Sequence, residues 1–409
     1  MSVAVIIGVV LSESGASKPP AARTLPAVTP TGSAVASRSA SAPAVTPASA
    51  SATVTRTFQA VVTSRGATAA SCQPKQQSEQ AFVTTTPPAT PTREGDILVY
   101  PDAKGSSPVG ITEGPDGAMW YANASASTYS IGRITASGTI THYNAAAGLV
   151  RPFGIVAGPD GALWFTGSGS IGRLTTAGGA TPFTFFTGTC IGSPDWIAAG
   201  PEGALWFTTG LAGAGAIGRI TASGMLTTYS APSIYAPAGI TAGPDGALWF
   251  VNSASKADPA AGSIGRITTA GVVGNYALPG ITHLSGITAG PGGTLWFTGI
   301  DPQQAESVYK MTTSGAVTEY VNPGFGQVGG SYLGNGGGIV QGPDGAMWFT
   351  DYGGSQSAII GSLSAATGAF TPYDTPGFVI AANEIASGPG NALWFTMGAR
   401  GIGRLPAPR

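Results

Sequence analysis

The sequence predicts an all-β protein, a seven-bladed β-propeller of four-stranded antiparallel blades, and three observations support this prediction. A Trp-centred motif recurs seven times at intervals of 42 to 52 residues. Each repeat holds four short strand-like stretches and no segment with helical periodicity. The two ends of the repeat region each lack a strand that the other could supply. A recurrence of this length with four strands per unit is typical of propeller blades. The motif tryptophans are Trp120, Trp164, Trp206, Trp249, Trp296, Trp348 and Trp394.

One repeat shows how a blade is built. Residues 239–242 (Gly-Ile-Thr-Ala) alternate in polarity and predict a short first strand. Residues 244–246 (Pro-Asp-Gly) form a turn, because Pro presets φ and Gly accepts a positive φ. Residues 247–250 (Ala-Leu-Trp-Phe) are continuously apolar and too short for a helix, which predicts a second strand buried on both faces. Residues 263–268 and 275–278 supply the third and fourth strands.

The closure of the ring can also be predicted. Residues 402–405 resemble a third strand with nothing after it, and residues 97–101 resemble a fourth strand with no blade before it. The simplest interpretation is that residues 97–101 complete the last blade. That pairing would cover two strand edges that would otherwise be open.

Two regions are predicted, a tail at 1–94 and the ring at 95–409. Met1–Leu11 is apolar and too short to span a bilayer, and it resembles the apolar core of an export signal without the preceding basic residues. Ser12–Glu94 is rich in Ala, Ser, Thr and Pro and poor in aromatic residues, so we expect it to be disordered. Such low complexity suits a cell-surface stalk or a solvated tail without a role.

Composition excludes some classes of partner. Only 9% of the residues are charged and the net charge is −1, which does not indicate binding to nucleic acid or to an anionic membrane. The two cysteines, Cys72 and Cys190, are compatible with a disulfide or with two free thiols. The Cys and His residues do not have the spacing of a zinc site.

Residues that recur in every blade are interpreted first as structural. This applies to the Pro-Asp-Gly turn, to the Arg of Ile-Gly-Arg and to the motif Trp. A ligand site is expected among the residues that interrupt the repeat on the loops at one mouth of the ring. The predicted ligand-binding residues are Arg151, Asp195, Trp196, His283, Asp351, Tyr352, Asn383, Glu384 and Arg400.

The repeat Gly-Ile-Thr-x-Gly-Pro-Asp-Gly-Ala-Leu-Trp-Phe-Thr, followed by Ile-Gly-Arg-Ile-Thr, resembles the streptogramin B (virginiamycin B) lyase family. The resemblance covers residues 97–409 and implies a seven-bladed propeller. It also implies an Mg²⁺-dependent lyase that opens the ester bond of a cyclic depsipeptide antibiotic by elimination.

The implied catalytic residues are not matched in this chain. The family's Glu-Pro-His triplet falls on Ala381, Ala382 and Asn383, and a later Glu falls on Gly398. Asn cannot move a proton near neutral pH, and Ala and Gly offer no side-chain oxygen to Mg²⁺. Glu384 is one residue out of register, and His283 lies two blades earlier.

The sequence therefore predicts a lyase-like propeller that is not an enzyme, has no cofactor and lacks catalytic and metal-binding residues. We expect an exported monomer, extracellular or in the cell envelope, that binds a small molecule, glycan or peptide at one mouth. Three alternatives stay open at this stage: an Mg²⁺-dependent carbon–oxygen lyase, a purely structural or adhesive surface module, and a cytoplasmic location.

Overall fold

The computed structural model describes residues 54–88, 90–102, 106–125, 129–145, 148–176, 182–211, 214–253, 262–303, 306–321, 338–351, 359–374 and 383–406. Seven antiparallel sheets are arranged around a central channel, which confirms the predicted all-β, seven-bladed fold. Two short 3₁₀ turns, Pro201–Gly203 and Gly398–Arg400, are its described helical elements. No helix in the described part of the chain is long and apolar enough to cross a membrane.

Strands are numbered β1 to β34 in chain order. The first seven precede the first full blade: β1 Val54–Gln59, β2 Val61–Gly66, β3 Thr68–Cys72, β4 Lys75–Gln80, β5 Phe82–Thr86, β6 Thr92–Glu94 and β7 Ile97–Tyr100. Blades 1 to 3 follow: β8 Pro108–Glu113, β9 Met119–Asn123, β10 Ser130–Ile134, β11 Ile140–Asn144; β12 Ile155–Ala157, β13 Ala162–Gly167, β14 Ser170–Thr175, β15 Pro182–Thr187; β16 Ser193–Ala199, β17 Ala204–Leu211, β18 Ala214–Thr221, β19 Leu226–Ser230.

The remaining strands form blades 4 to 7: β20 Pro237–Ala242, β21 Leu248–Asn252, β22 Ser263–Ile267, β23 Val272–Ala277; β24 Ile287–Gly290, β25 Thr294–Ile300, β26 Glu306–Thr312, β27 Ala316–Val321; β28 Ile339–Gln341, β29 Met347–Asp351, β30 Ile359–Leu363, β31 Phe370–Asp374; β32 Ile385–Gly388, β33 Ala392–Thr396, β34 Ile402–Pro406. Blade 7 takes its fourth strand from the other end of the ring. Strand β7 pairs antiparallel with β34, with Tyr100 opposite Ile402.

A polar strap runs around the outside of the ring. We use this name for residues 54–94, whose strands β1 to β6 add a fifth, outermost strand to blades 5, 4, 3, 2, 1 and 7 in that order. The strap therefore travels against the direction in which the blades follow one another. The expectation of disorder up to Glu94 is wrong over residues 54–94, because these residues pair through their backbones with strand edges that the ring provides. Residues 1–53, including the possible export signal, lie outside the described residues.

The strap is fixed to the ring by a covalent bond. Cys72, the last residue of β3, forms a disulfide with Cys190, which lies in the loop between blades 2 and 3. The two cysteines are 118 residues apart in sequence. Of the two states that the sequence left open, the structure has the disulfide.

Within the described residues, blade 6 is the blade without a strap strand. Its outer strand β31 contains Pro372, which pairs with Gly361 on the inner side. Proline has no backbone N–H and is found on edge strands, where it discourages further pairing. Pro372 therefore discourages pairing at the outer edge of blade 6, and the strap strands cover the corresponding edges of the other six blades.

A repeated three-residue contact braces the blades. In blade 4, Asp245 Oδ1 accepts a hydrogen bond of 2.8 Å from Trp249 Nε1, and Oδ2 accepts one of 2.6 Å from Arg266 Nε. The guanidinium also lies 5.7 Å from the Trp249 ring centroid. Burial opposes ionisation of Asp245, but these hydrogen bonds and the Arg266 charge hold its pKa below the usual value. The same contact recurs as Asp116–Trp120–Arg133 and Asp160–Trp164–Arg173.

Blade 3 departs from this contact for a readable reason. Its turn is Pro-Glu-Gly, and Glu202 adopts a positive φ of 61°. The longer side chain reaches Arg219 at 3.4 Å, while the buried Trp206 Nε1 has no partner among the described residues. One added methylene therefore keeps the ion pair and loses the hydrogen bond to the indole.

The core lies between neighbouring blades. All seven motif tryptophans are at most 1% exposed, and several stack on a fourth-strand aromatic, as Trp206 does on Tyr229 at 5.6 Å. The second strands are buried on both faces because each blade is covered by a neighbour on either side. This arrangement leaves the first strands free to line the axis.

Candidate functional site

The axis of the ring is a narrow channel lined by the first strand of every blade. It encloses a cavity of about 130 Å³. Six of the blades contribute an isoleucine and four contribute a glycine. The lining residues are Gly110, Ile111, Gly154, Ile155, Trp196, Ile197, Gly239, Ile240, Gly286, Ile287, Ile339 and Glu384.

Glycine recurs at the channel because adjacent blades touch there through their backbones. A Cβ on Gly110 would lie 2.3 Å from the Phe153 carbonyl oxygen, and one on Gly154 would lie 2.8 Å from that of Asp195. Gly110 N–H donates to the Phe153 carbonyl oxygen at 3.2 Å. The Thr of Trp-Phe-Thr strengthens the joint, since Thr166 Oγ1 donates to the Asp195 carbonyl at 2.5 Å.

Two channel positions carry large side chains where the repeat has glycine. They are Trp196 in blade 3 and Glu384 in blade 7, and both line the same cavity. Blades 3 and 7 are separated by three blades on one side of the ring and by two on the other. The sequence predicted both residues as site residues, and the structure brings them together in the channel.

Glu384 places a carboxyl in the channel among isoleucine side chains and glycine backbone. Its side chain is partly exposed because it lines the channel, yet Oε2 is covered and has no hydrogen-bond partner among the described residues. Oε1 lies against Gly338, at 2.9 Å from the position a Cβ would take there. Burial raises the pKa of Glu384 to about 8, and the Ile385 backbone N–H opposes this only in part. Near neutral pH the carboxyl is therefore mostly protonated.

A second group of predicted residues lies at the mouth beside Trp196. The Phe153 and Trp196 rings meet edge to face with centroids 5.6 Å apart. Burial raises the pKa of Asp195, and the charge of Arg151 lowers it. The Asp195 and Arg151 side chains are both exposed, so this pKa shift does not by itself indicate a chemical role. Together they form a charged rim next to an aromatic surface.

Asn383 has a structural role. Its side-chain amide donates to the Pro108 carbonyl at 3.3 Å, and its own carbonyl accepts from Gly338 N–H and Thr350 Oγ1. These bonds join blade 7 to blades 1 and 6. The side chain is half-buried just before Glu384.

Arg400 contacts the strap. Its Nη2 donates to Glu94 Oε1 at 2.8 Å, which ties the turn after β33 to strap strand β6. His283 is half-buried with φ 51°, in the loop before β24. Asp351 is the last residue of β29, and Tyr352 lies outside the described residues.

The other histidine is part of a buried network that the sequence did not suggest. His142 Nε2 donates to Asp102 Oδ1 at 3.1 Å, and its Nδ1 is 3.0 Å from Ser130 Oγ. Asn123 donates to that hydroxyl and Tyr121 donates to Asp102, so every ring nitrogen is engaged. Burial opposes ionisation, but the hydrogen bonds and charge of His142 hold the pKa of Asp102 below its usual value. This serine, histidine and aspartate brace blade 1 and are closed to a substrate.

Comparison with known proteins identifies the family of this chain. The virginiamycin B lyase family model matches residues 89–323 and 282–407. The chain belongs to the virginiamycin B lyase family. It is 29% identical to a streptogramin B lyase structure, covering 75% of this chain and 96% of that one, with a TM-score of 0.62.

A second similar structure is a catalytically inactive His-to-Ala variant of the virginiamycin B lyase from Staphylococcus aureus, with quinupristin. It is 28% identical, covers 76% of this chain and 99% of that one, and has a TM-score of 0.63. The extracellular domain of a putative one-component system from B. thetaiotaomicron, 14% identical with a TM-score of 0.51 over 80% of this chain and 42% of that one, shares the fold alone. No curated protein matches this chain.

The Mg²⁺ that the family implies does not fit the described residues. No group of three or more His, Cys, Asp or Glu side chains in the described ranges could hold a metal ion. Gly398 opens the 3₁₀ turn after β33 and offers no side-chain donor. Ala381 and Ala382 lie outside the described residues, and neither carries an oxygen ligand on its side chain.

Proposed function

We propose that this chain is an exported binding module that uses the mouth and channel of a lyase-type ring to hold a ligand, and that it does not open streptogramin lactones. The observation that carries the proposal is Asn383. It occupies the position where the resemblance places the catalytic His, and its amide joins two blades. An amide in that role supplies neither an acid nor a base near neutral pH.

Two features support export. A disulfide between Cys72 and Cys190 is typical of proteins in oxidising compartments. The Ser/Thr/Pro-rich composition before residue 54 suits a surface stalk. Secretion from the native host, followed by thiol titration of the secreted protein, would test this part of the proposal.

The ligand-binding part of the proposal rests on the mouth. Trp196 offers a partly exposed aromatic surface, Glu384 offers a carboxyl inside the channel, and Arg151 and Asp195 provide charges at the rim. Aromatic surface with a few convergent polar groups is the usual composition of a small-molecule or peptide site. A glycan is a further candidate, because aromatic rings also stack on sugars.

The test is an incubation of purified protein with quinupristin and excess Mg²⁺, followed by mass spectrometry. We expect the lactone to remain intact, since loss of the acid/base group alone typically costs about 10²–10⁴-fold in rate. In the same samples, acrylamide quenching of fluorescence reports occupancy of the mouth, because Trp196 is the partly exposed one of the eight tryptophans.

Formation of the linear product at about one turnover per second would refute the non-catalytic proposal. In that case Glu384→Gln and His283→Ala are the first variants to make, because these side chains are the nearest candidates to move a proton.

A further inference from the structure

We propose that the channel binds a small organic ammonium group, with the Glu384 carboxylate as its counter-ion and the Trp196 ring as its aromatic wall. The proposal rests on the proposed binding function and names the chemical class of the group that enters the channel. It concerns a position where the ring's own repeat has glycine.

The first argument is the missing partner of Glu384. Its carboxyl accepts one described hydrogen bond, from the Ile385 backbone, and Oε2 is covered with no partner among the residues that the structure describes. A buried polar atom without a partner is rare in folded proteins. In the described part of the chain, no basic side chain contributes to its ionisation. The carboxyl thus has no charged partner among the described residues, and the cavity lies beside it.

The second argument is the alternative that the chain uses elsewhere. Five of the seven equivalent channel positions are glycine, which brings adjacent blades together and leaves no polar atom to satisfy. Glu384 instead places an acid in a channel lined by isoleucine side chains and glycine backbone. A ligand with a positive charge and N–H donors would satisfy both the charge and the hydrogen-bonding capacity of the carboxylate, whereas a neutral or anionic ligand would leave its charge unpaired.

The third argument is the aromatic residue that lines the same cavity. Trp196 is one of eight tryptophans and the one that is not buried in the blade core. Its ring is held edge to face against Phe153 and lines the same cavity as Glu384. A tryptophan face attracts cations, most strongly where water is excluded. An aromatic wall with a carboxylate is a recurring way of recognising ammonium groups.

The cavity sets the size of the group. A volume of about 130 Å³ is slightly below that of an engineered cavity of about 150 Å³ that accepts benzene. The channel therefore accommodates an alkylammonium of about five or six non-hydrogen atoms. The isoleucine side chains that line the channel would contact the alkyl part.

Binding should be coupled to proton release. A cation beside Glu384 favours the ionised carboxyl, so a proton leaves as the ammonium enters. With a pKa of about 8 for Glu384, about 0.9 proton is released per site at pH 7. The strands packed against β32, which are β8, β28, β29 and β33, carry Glu113 and Asp351 as titratable residues. Arg151 and Asp195 are the charged residues at the nearby rim.

The experiment is isothermal titration calorimetry of the full chain with n-butylammonium chloride, in buffers of different ionisation enthalpy. We expect saturable binding with proton release at pH 7, and affinity that increases by up to about tenfold per pH unit between pH 6 and 8. The uncharged n-butanol is the ligand control. Acrylamide quenching of Trp196 should fall as the site fills.

Four variants separate the contributions. Glu384→Gln keeps the size of the side chain and should weaken n-butylammonium binding by at least about 30-fold and abolish proton release. Trp196→Leu should weaken it by about three- to tenfold. Glu113→Gln removes an exposed carboxylate on β8 outside the channel lining and should bind as the wild type does. Glu384→Gly restores the glycine of the repeat and checks that loss of binding does not reflect misfolding.

The proposal is overturned if n-butylammonium shows no saturable heat up to tens of millimolar while the protein is folded. It is also overturned if n-butanol binds as tightly or if Glu384→Gln binds equally well. These outcomes are separate from lactone opening. Turnover of quinupristin would refute the proposed function, and failure of amine binding would refute only the ligand class.

Discussion

Removal of the Cys72–Cys190 disulfide should release part of the strap and leave the ring folded. Strap strands β3 and β4 are largely exposed, and they are held to the ring by backbone pairing, with Cys72 only partly buried. Ordering a residue costs about 1–2 kcal/mol, which is similar to the net value of one hydrogen bond. Without the disulfide, the free-energy cost of ordering the strap is therefore about equal to the stabilisation from its backbone hydrogen bonds.

The magnitude follows from the length of chain that the disulfide closes. For cysteines 118 residues apart, the chain-entropy estimate is about 5 kcal/mol, as an upper figure. If most of this acts on local opening, Cys72→Ser should speed amide exchange in residues 68–80 by roughly 10²–10³-fold. The second strand of blade 3, Ala204–Leu211, should keep its protection because it lies in the core.

Hydrogen–deuterium exchange with mass spectrometry measures both segments in one sample. Ser71→Ala, in the same strand as Cys72, is the matched control, since it removes only a hydroxyl contact to Thr227 of β19. Unchanged exchange in residues 68–80, or loss of protection in strap and ring together, would refute this account.

Three further predictions concern single side chains. Glu384 binds its proton more tightly in the folded chain than in the unfolded chain, where the pKa is near 4.5, so stability should fall as pH rises from about 4.5 to about 8, by up to about 1.4 kcal/mol per pH unit. Glu384→Gln should flatten this profile in urea titrations, and a slope equal to wild type would contradict the raised pKa. Trp249→Ala should cost about 3–5 kcal/mol of unfolding free energy, because the indole is fully buried between blades; a nearly neutral change would contradict that packing. Glu202→Asp should give Trp206 Nε1 an acceptor and stabilise the protein by about 1 kcal/mol in thermal denaturation; destabilisation would show that the turn cannot adopt the geometry of Asp245.

The ring could be predicted from the sequence because its signal is local and repeated. The turn residues, the apolar second strand and the Arg of the third strand each recur, so a blade is determined by about 45 neighbouring residues. The pairs of Asp116 with Trp120 and Arg133 lie within one such unit. The interruptions of the repeat at Trp196 and Glu384 were visible in the same way.

The strap could not be predicted because its structure is imposed by distant strands. Residues 54–94 have few large apolar side chains, and their β conformation comes from the open edges of β7, β11, β15, β19, β23 and β27. A sheet edge pairs with the backbone of an added strand, so it accepts almost any polar sequence. The composition of the strap therefore resembles that of a disordered segment. The ion pair of Arg400 could not be predicted for the same reason, since its partner Glu94 lies 306 residues away.

The central claim is that the Glu384 carboxyl, which has no charged partner among the described residues, marks the ligand-binding part of the channel. The most direct measurement is the pH titration of the Glu384 Cδ signal by carbon-13 NMR, assigned by its absence in Glu384→Gln. The account predicts a midpoint near pH 8 in the free protein and a lower midpoint with n-butylammonium present. A midpoint near 4.5 that the amine does not change would contradict it.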